Sequence, residues 1–162
     1  MDHLDTMKIL ALSDVHGDRE FIKKMAQKGK DEAVDLVILA GDIGSDDGNI
    51  EGMVDPFREE NLEVAIIPGN HEGLAEVEFL CERYGATNLH GYVLKKGDVG
   101  IFGCGYGYVG IHQLTEEDFA KTLEKTHSQL GEVKTKIMLT HVQPANSVVA
   151  LNFPGSTAVR EA

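Results

Sequence analysis

Short apolar runs alternate with amphipathic stretches along most of this chain. Met7 to Ser13 reads as a first strand. Asp18 to Lys28 reads as a helix, with Phe21, Ile22 and Met25 sharing one face. Asp35 to Ala40 is a second strand. Its Leu-Val-Ile-Leu run is apolar on both faces, the pattern of a parallel strand covered by helices. Ile50 to Glu60 has helical character despite Pro56. Glu63 to Ile67 is a third strand and Leu74 to Tyr84 a helix. Tyr92 to Lys95 and Val99 to Gly103 form a hairpin around Lys96, Gly97 and Asp98, where the parallel pattern gives way to antiparallel pairing. Thr115 to Ser128 is a helix opened by a capping box between Thr115 and Asp118. Lys136 to Thr140 is a fourth core strand, and Ser156 caps a last helix beginning at Thr157.

This order of strand, loop and helix predicts an α/β fold. A chain of 162 residues suits one domain. The clean first strand places the domain at residues 7–162, with 1–6 as an N-terminal extension. No apolar run approaches the roughly 20 residues a membrane-spanning helix needs. Cys81 and Cys104 have neither metal nor redox spacing and read as small buried hydrophobes, which suits a cytoplasmic protein. The formal charge of −12 opposes nucleic acid or an anionic membrane as partner. It leaves room for a small phosphorylated substrate, because a bound cation reverses the local sign.

The chemistry collects where strands end. Asp14 and His16 follow the first strand and Gly41-Asp42 the second. Gly69-Asn70-His71-Glu72 follows the third, and His141 the strand at 136–140. Ligands of open α/β sheets bind at the carboxyl ends of the strands, so distant residues can meet on one rim. Asp14 and His16 are two apart and, in extended chain, point the same way. Glycine at 41 and 69 permits sharp turns and close approach. A carboxylate such as Asp42 can bridge two cations. Mixed oxygen and imidazole donors suit manganese, iron, zinc or nickel better than calcium.

Asp14-Val15-His16, Gly41-Asp42, Gly69-Asn70-His71-Glu72 and His141, in this order, resemble the successive motifs of the calcineurin-like metallophosphoesterases, most closely the small prokaryotic members. The likeness runs from Met7 to Ala162. It implies a four-layer αββα sandwich with mixed sheets, and two divalent ions, manganese foremost, holding a bridging hydroxide that hydrolyses phosphate mono- or diesters. Asp14 and His16 would bind the first ion, Asp42 both, and Asn70 and His141 the second. His71 would be catalytic, steadying phosphoryl oxygens or protonating the leaving group. The family's final Gly-His-x-His has no counterpart here, since no histidine follows His141. The expectation is a domain lacking its C-terminal part, with three protein ligands per ion, an incomplete second sheet and self-association through open edges. A second reading is a metal-poor member acting as a scaffold. A third, a nuclease of the same family, is disfavoured by the charge.

Plainer roles are expected elsewhere. Glu72 reads as a solvated charge at a helix start, favourable to the helix dipole. His3, His90 and His127 read as solvated, as do Asp46-Asp47 and Glu116-Glu117-Asp118. Gly105, Gly107 and Gly110 match a dinucleotide-loop spacing without the strand-to-helix context that motif needs. Cys104 to His112 is instead expected to line the site, with His112 a candidate substrate contact.

Overall fold

The structure, a computed structural model, describes residues 6–150 and 154–162. The expected His3 and most of the expected extension lie outside them. Three apolar clusters separate four layers. In the first sheet, β1 (Ile9–Leu12), β2 (Leu36–Ala40), β3 (Val64–Ile67) and β4 (Thr87–Asn88) lie side by side in chain order, all parallel. In the second, β5 (Val93–Lys96) pairs antiparallel with β6 (Val99–Cys104), and β6 pairs parallel with β7 (Thr135–Thr140). The core strand expected at 136–140 is β7, which lies in the second sheet. The fourth parallel strand is the two-residue β4, too short to leave a periodic signal.

Alternation along β2 assigns its two faces. Val37 and Leu39 face α1 (Arg19–Asp31) and α2 (Asp55–Glu59), packing with Ile22, Ala26 and Phe57. Leu36, Ile38 and Ala40 face the second sheet, packing with Ile101 and Leu139. The strand is covered by helices on one side and by a sheet on the other, as the expected four-layer αββα sandwich requires. The far face of the second sheet carries Phe102 and Cys104 against Phe119, Leu123 and Leu130 of α4 (Glu116–Leu130). Each fully buried Leu, Ile or Phe contributes about 1.5–3 kcal/mol. The inter-sheet cluster thus sets the distance from which β7 can reach toward β2.

Local signals explain most helix ends. The Asp18 carboxylate accepts from Phe21 N at 2.9 Å and starts α1. Its buried stripe is Ile22, Ala26 and Gly29, spaced i, i+4 and i+7, while Phe21 turns 38% exposed to solvent. The α2 helix is half the expected length. Pro56 is tolerated only in a first turn, where its missing N–H is not needed, so the helix begins there. The α3 helix spans Leu74–Tyr84 as expected and stops at Gly85 in the left-handed conformation. The capping box at Thr115 and Asp118 is present.

Glu116 is not simply a solvated charge. Its carboxylate accepts from Ser156 Oγ at 2.9 Å, Thr157 N at 3.2 Å and Ala158 N at 2.8 Å, and from the Tyr108 hydroxyl. It ties the start of α5 (Thr157–Glu161) to α4. Glu117 pairs with Lys121 one turn on, an exposed ion pair. Glu116→Ala is expected to destabilise the chain by about 1–3 kcal/mol, the scale of losing charge-assisted bonds. Amide exchange at Val159 should rise first, while that of β2 changes least.

Candidate metal centre

Backbone geometry makes the rim before any side chain acts. Asp14 N donates to Gly41 O at 3.1 Å, His16 N to Asp42 O at 3.0 Å and Gly17 N to Ile43 O at 3.0 Å. The exits of β1 and β2 therefore stay laced together past the strands. Asp14, His16 and Asp42 take φ of 54°, 46° and 52°. This left-handed backbone costs roughly 1–2 kcal/mol per residue, and backbone hydrogen bonds of about 1 kcal/mol each offset it in part. The expectation that Asp14 and His16 align through extended chain is corrected. They converge because both residues curl left-handed against the β2 exit.

Two glycines let the β2 and β3 exits touch. A Cβ on Gly69 would lie 2.1 Å from Asp42 Oδ1, and one on Gly41 would lie 2.6 Å from both Gly69 Cα and His141 Nδ1. The close approach is thus between loops of the same protein.

All six expected site residues gather here. Donor atoms of Asp14, His16 and Asp42 lie within 4.8 Å of one another. Asp42 is 3% exposed. Its Oδ1 accepts from His71 N at 3.1 Å. Its Oδ2 faces three imidazole nitrogens: His141 Nε2 at 3.6 Å, His71 Nε2 at 3.8 Å and His16 Nε2 at 3.9 Å. These are too long for hydrogen bonds.

His141 crosses from the second sheet. Its Nδ1 lies 2.8 Å from Ala40 O and must donate, because a carbonyl only accepts. In the neutral ring Nε2 then carries a lone pair. That lone pair faces Asn70 Oδ1 at 3.1 Å as well as Asp42 Oδ2. Three electron-rich atoms point at one another, an arrangement that a proton on Nε2 or a cation would satisfy. The ligand set fits a divalent ion on this ground.

The electrostatics agree. Burial pushes the Asp42 carboxyl up, but the His141 ring and the His71 N–H outweigh it and hold it below the usual carboxylate range. Burial disfavours charge on His141, but Asp42 and the Ala40 carbonyl outweigh it and hold the ring above its ordinary value.

Glu72 is a correction. It is 5% exposed, not solvated. Its carboxylate accepts from Gly69 N at 3.0 Å and from Ile43 N at 3.3 Å, tying the β3 exit to the β2 exit from below. Burial first, and then the charge of Asp42, hold its carboxyl above the usual range despite the two N–H donors. Its place directly after Asn70-His71 was the available signal.

Around the rim, Tyr106 N donates to Pro68 O at 2.8 Å and His112 N to Asn70 O at 3.3 Å. The segment expected to line the site does so. No helix follows Gly110 until α4, so the dinucleotide reading fails. His90 is corrected too. It is half-buried, its Nδ1 accepts from Gly105 N at 3.0 Å, and burial lowers its pKa. His127 contacts the Phe102 ring at 5.3 Å between centroids. Cys81 and Cys104 are free, with burial pushing their thiols up to about 11 and about 12. A small cleft opens beside His71, lined by Ser45, Gly48, Ile50, Glu72 and Glu76.

The chain belongs to the calcineurin-like phosphoesterase family, whose model matches residues 7–159. The family is one of metal-dependent hydrolases. Among solved structures, the crystal structure of TT1561 of Thermus thermophilus superposes with a TM-score of 0.76 at 21% identity, covering 95% of this chain and 75% of that one. A second crystal structure gives 0.70 at 13% identity, covering 93% and 77%. At such identities the likeness shows the fold alone. No curated protein matches the sequence. No helix of the described residues is long and apolar enough to cross a membrane.

Two outcomes follow from this geometry. The raised His141 pKa stabilises the metal-free fold fully below the unfolded imidazole value, and that contribution is lost as pH rises through the folded value. The thermal unfolding midpoint without metal should therefore fall from mildly acid to mildly alkaline pH, and His141→Gln should flatten that slope. Glu72→Ala leaves two interior N–H groups unpartnered. It should lower stability by about 1–3 kcal/mol per group, read from the denaturant midpoint.

Proposed function

We propose that this protein hydrolyses phosphate esters at a pair of divalent ions, with Asp14 and His16 holding one, Asn70 and His141 the other, and Asp42 shared. The observation that carries the reading is Asp42 Oδ2, out of hydrogen-bond reach of His141 Nε2 at 3.6 Å on one side and His16 Nε2 at 3.9 Å on the other. Two donor atoms that share a cation at about 2.0–2.2 Å stand near this spacing after a small closure, Asp42 with His16 at one ion and with His141 at the other. The mixed nitrogen and oxygen set favours manganese, with iron, zinc or nickel also suited. Bound in a pair, such ions supply an acidified water and neutralise phosphoryl charge.

The chain's own residues do the rest. Asp42 carries the shared negative charge in a place with little competing water. His141, anchored by Ala40 O, keeps Nε2 turned inward. His71 is anchored through its backbone N on Asp42, while its ring stays 44% exposed beside the cleft. That exposure suits a group that meets the substrate and hands a proton to the leaving oxygen. His112, on the loop against Asn70, is the candidate contact for the rest of the ester. The net charge of −12 favours small esters over nucleic acid. Two unpaired thiols suit a reducing cytoplasm.

The test is turnover of bis-p-nitrophenyl phosphate and p-nitrophenyl phosphate with added Mn2+. Asp42→Ala should abolish it. His71→Ala should lower kcat by roughly two orders of magnitude while metal content stays unchanged. No turnover of either ester sinks the proposal in favour of a scaffold, and turnover indifferent to Asp42→Ala sinks the metal pair.

A further inference from the structure

A histidine that binds a metal through one ring nitrogen carries its proton on the other, and that proton needs an acceptor. His141 has one, since its outer nitrogen lies on Ala40 O. His16 differs. Its Nε2 faces the Asp42 carboxylate at 3.9 Å, and its Nδ1 faces Asp46 Oδ1, also at 3.9 Å. The imidazole stands between two carboxylates, one buried and one 90% exposed.

Among the described residues no other ion pair engages Asp46. Its neighbours are committed to the loop that follows β2. Ser45 N donates to Asn49 O at 3.0 Å, Gly48 N to Ser45 O at 2.8 Å, and Asn49 N to Asp47 Oδ1 at 3.2 Å. Among the described residues the Asp46 carboxylate accepts no hydrogen bond. The backbone bond from Gly17 N to Ile43 O holds this loop against His16. An exposed Asp needs only a side-chain rotation to close 3.9 Å to hydrogen-bonding distance.

From this arrangement we infer that Asp46 is a positioning residue: it accepts the Nδ1 proton of His16 and holds the ring with Nε2 turned to the first cation. The inference rests on the proposed metal pair. A rival use of the same atoms exists, because donor atoms of His16, Asp46 and His71 also lie within 4.8 Å of one another and could surround a third cation. Chemistry disfavours it. With Nε2 on the first cation, a bond from Nδ1 to another would strip the ring of its last proton. Accepting that proton asks nothing unusual of Asp46.

Binding of Mn2+ and of Zn2+ to metal-stripped protein, followed by titration calorimetry, tests this without reference to activity. Asp46→Ala should weaken one of the two ions, the one held by Asp14 and His16, about 10- to 100-fold, with the number of ions unchanged. Asp46→Glu should recover part of the loss. The unfolding midpoint of the metal-free chain should not move. In the zinc-loaded protein, long-range proton–nitrogen spectra should show His16 protonated at Nδ1, with that proton exchanging faster in Asp46→Ala. Loss of one whole ion in Asp46→Ala would overturn the positioning role in favour of a third cation. Unchanged affinity would overturn it while leaving the metal pair standing. No metal binding by the unaltered chain would overturn the pair itself, and this inference with it.

Discussion

A carboxylate with almost no water must be surrounded by positive charge or pay heavily for its own. Asp42 is in that position, 3% exposed and at the end of a strand buried on both faces. One oxygen is answered by the His71 N–H, and the other looks out at three imidazoles that stop short of it. The surrounding structure can be read as the means of bringing those groups there and keeping them apart.

Two of the means are costly. Three residues of the rim take left-handed backbone, and Glu72 is buried with its carboxyl pushed toward the neutral form. Strain of this kind persists only where the surroundings over-determine it, and it gathers at functional sites. Here the over-determination is visible in the laced backbone of the β1 and β2 exits and in the two N–H groups that Glu72 accepts. The inter-sheet core does the remaining work. By packing Ile38, Ile67, Ile101 and Leu139 together, it brings a histidine from the second sheet against a carboxylate of the first.

Two histidines from opposite sides of the rim are held by different devices. The ring of His141 is fastened by a buried carbonyl, and that of His16 faces an exposed carboxylate. One attachment is rigid and neutral, the other adjustable and charged. Under the proposed metal pair, the position held by Asp14 and His16 would be the one open to tuning from the surface.

Much of this was legible in the order of residues. Apolar runs ending in Asp, His or Asn marked four strand exits, and a buried strand has few other reasons to end in polar side chains at one rim. Gly41 and Gly69 were legible as places of close approach, because only a missing Cβ allows it. The sequence could not say what approached what. That the gap is filled by the neighbouring loop depends on the separation of β2 and β3, which many residues set together. Nor could it say that β7 belongs to the second sheet, since a parallel strand has the same local pattern in either. Glu72 was misread and Asp46 was not, its side chain being 90% exposed as expected: exposure is not a local property. A carboxylate at a strand exit is solvated or buried according to what packs beneath it. A loop aspartate is idle or engaged according to which ring the turn brings near. Side-chain chemistry is written in the chain, but distance and dielectric arise only when distant segments close around it.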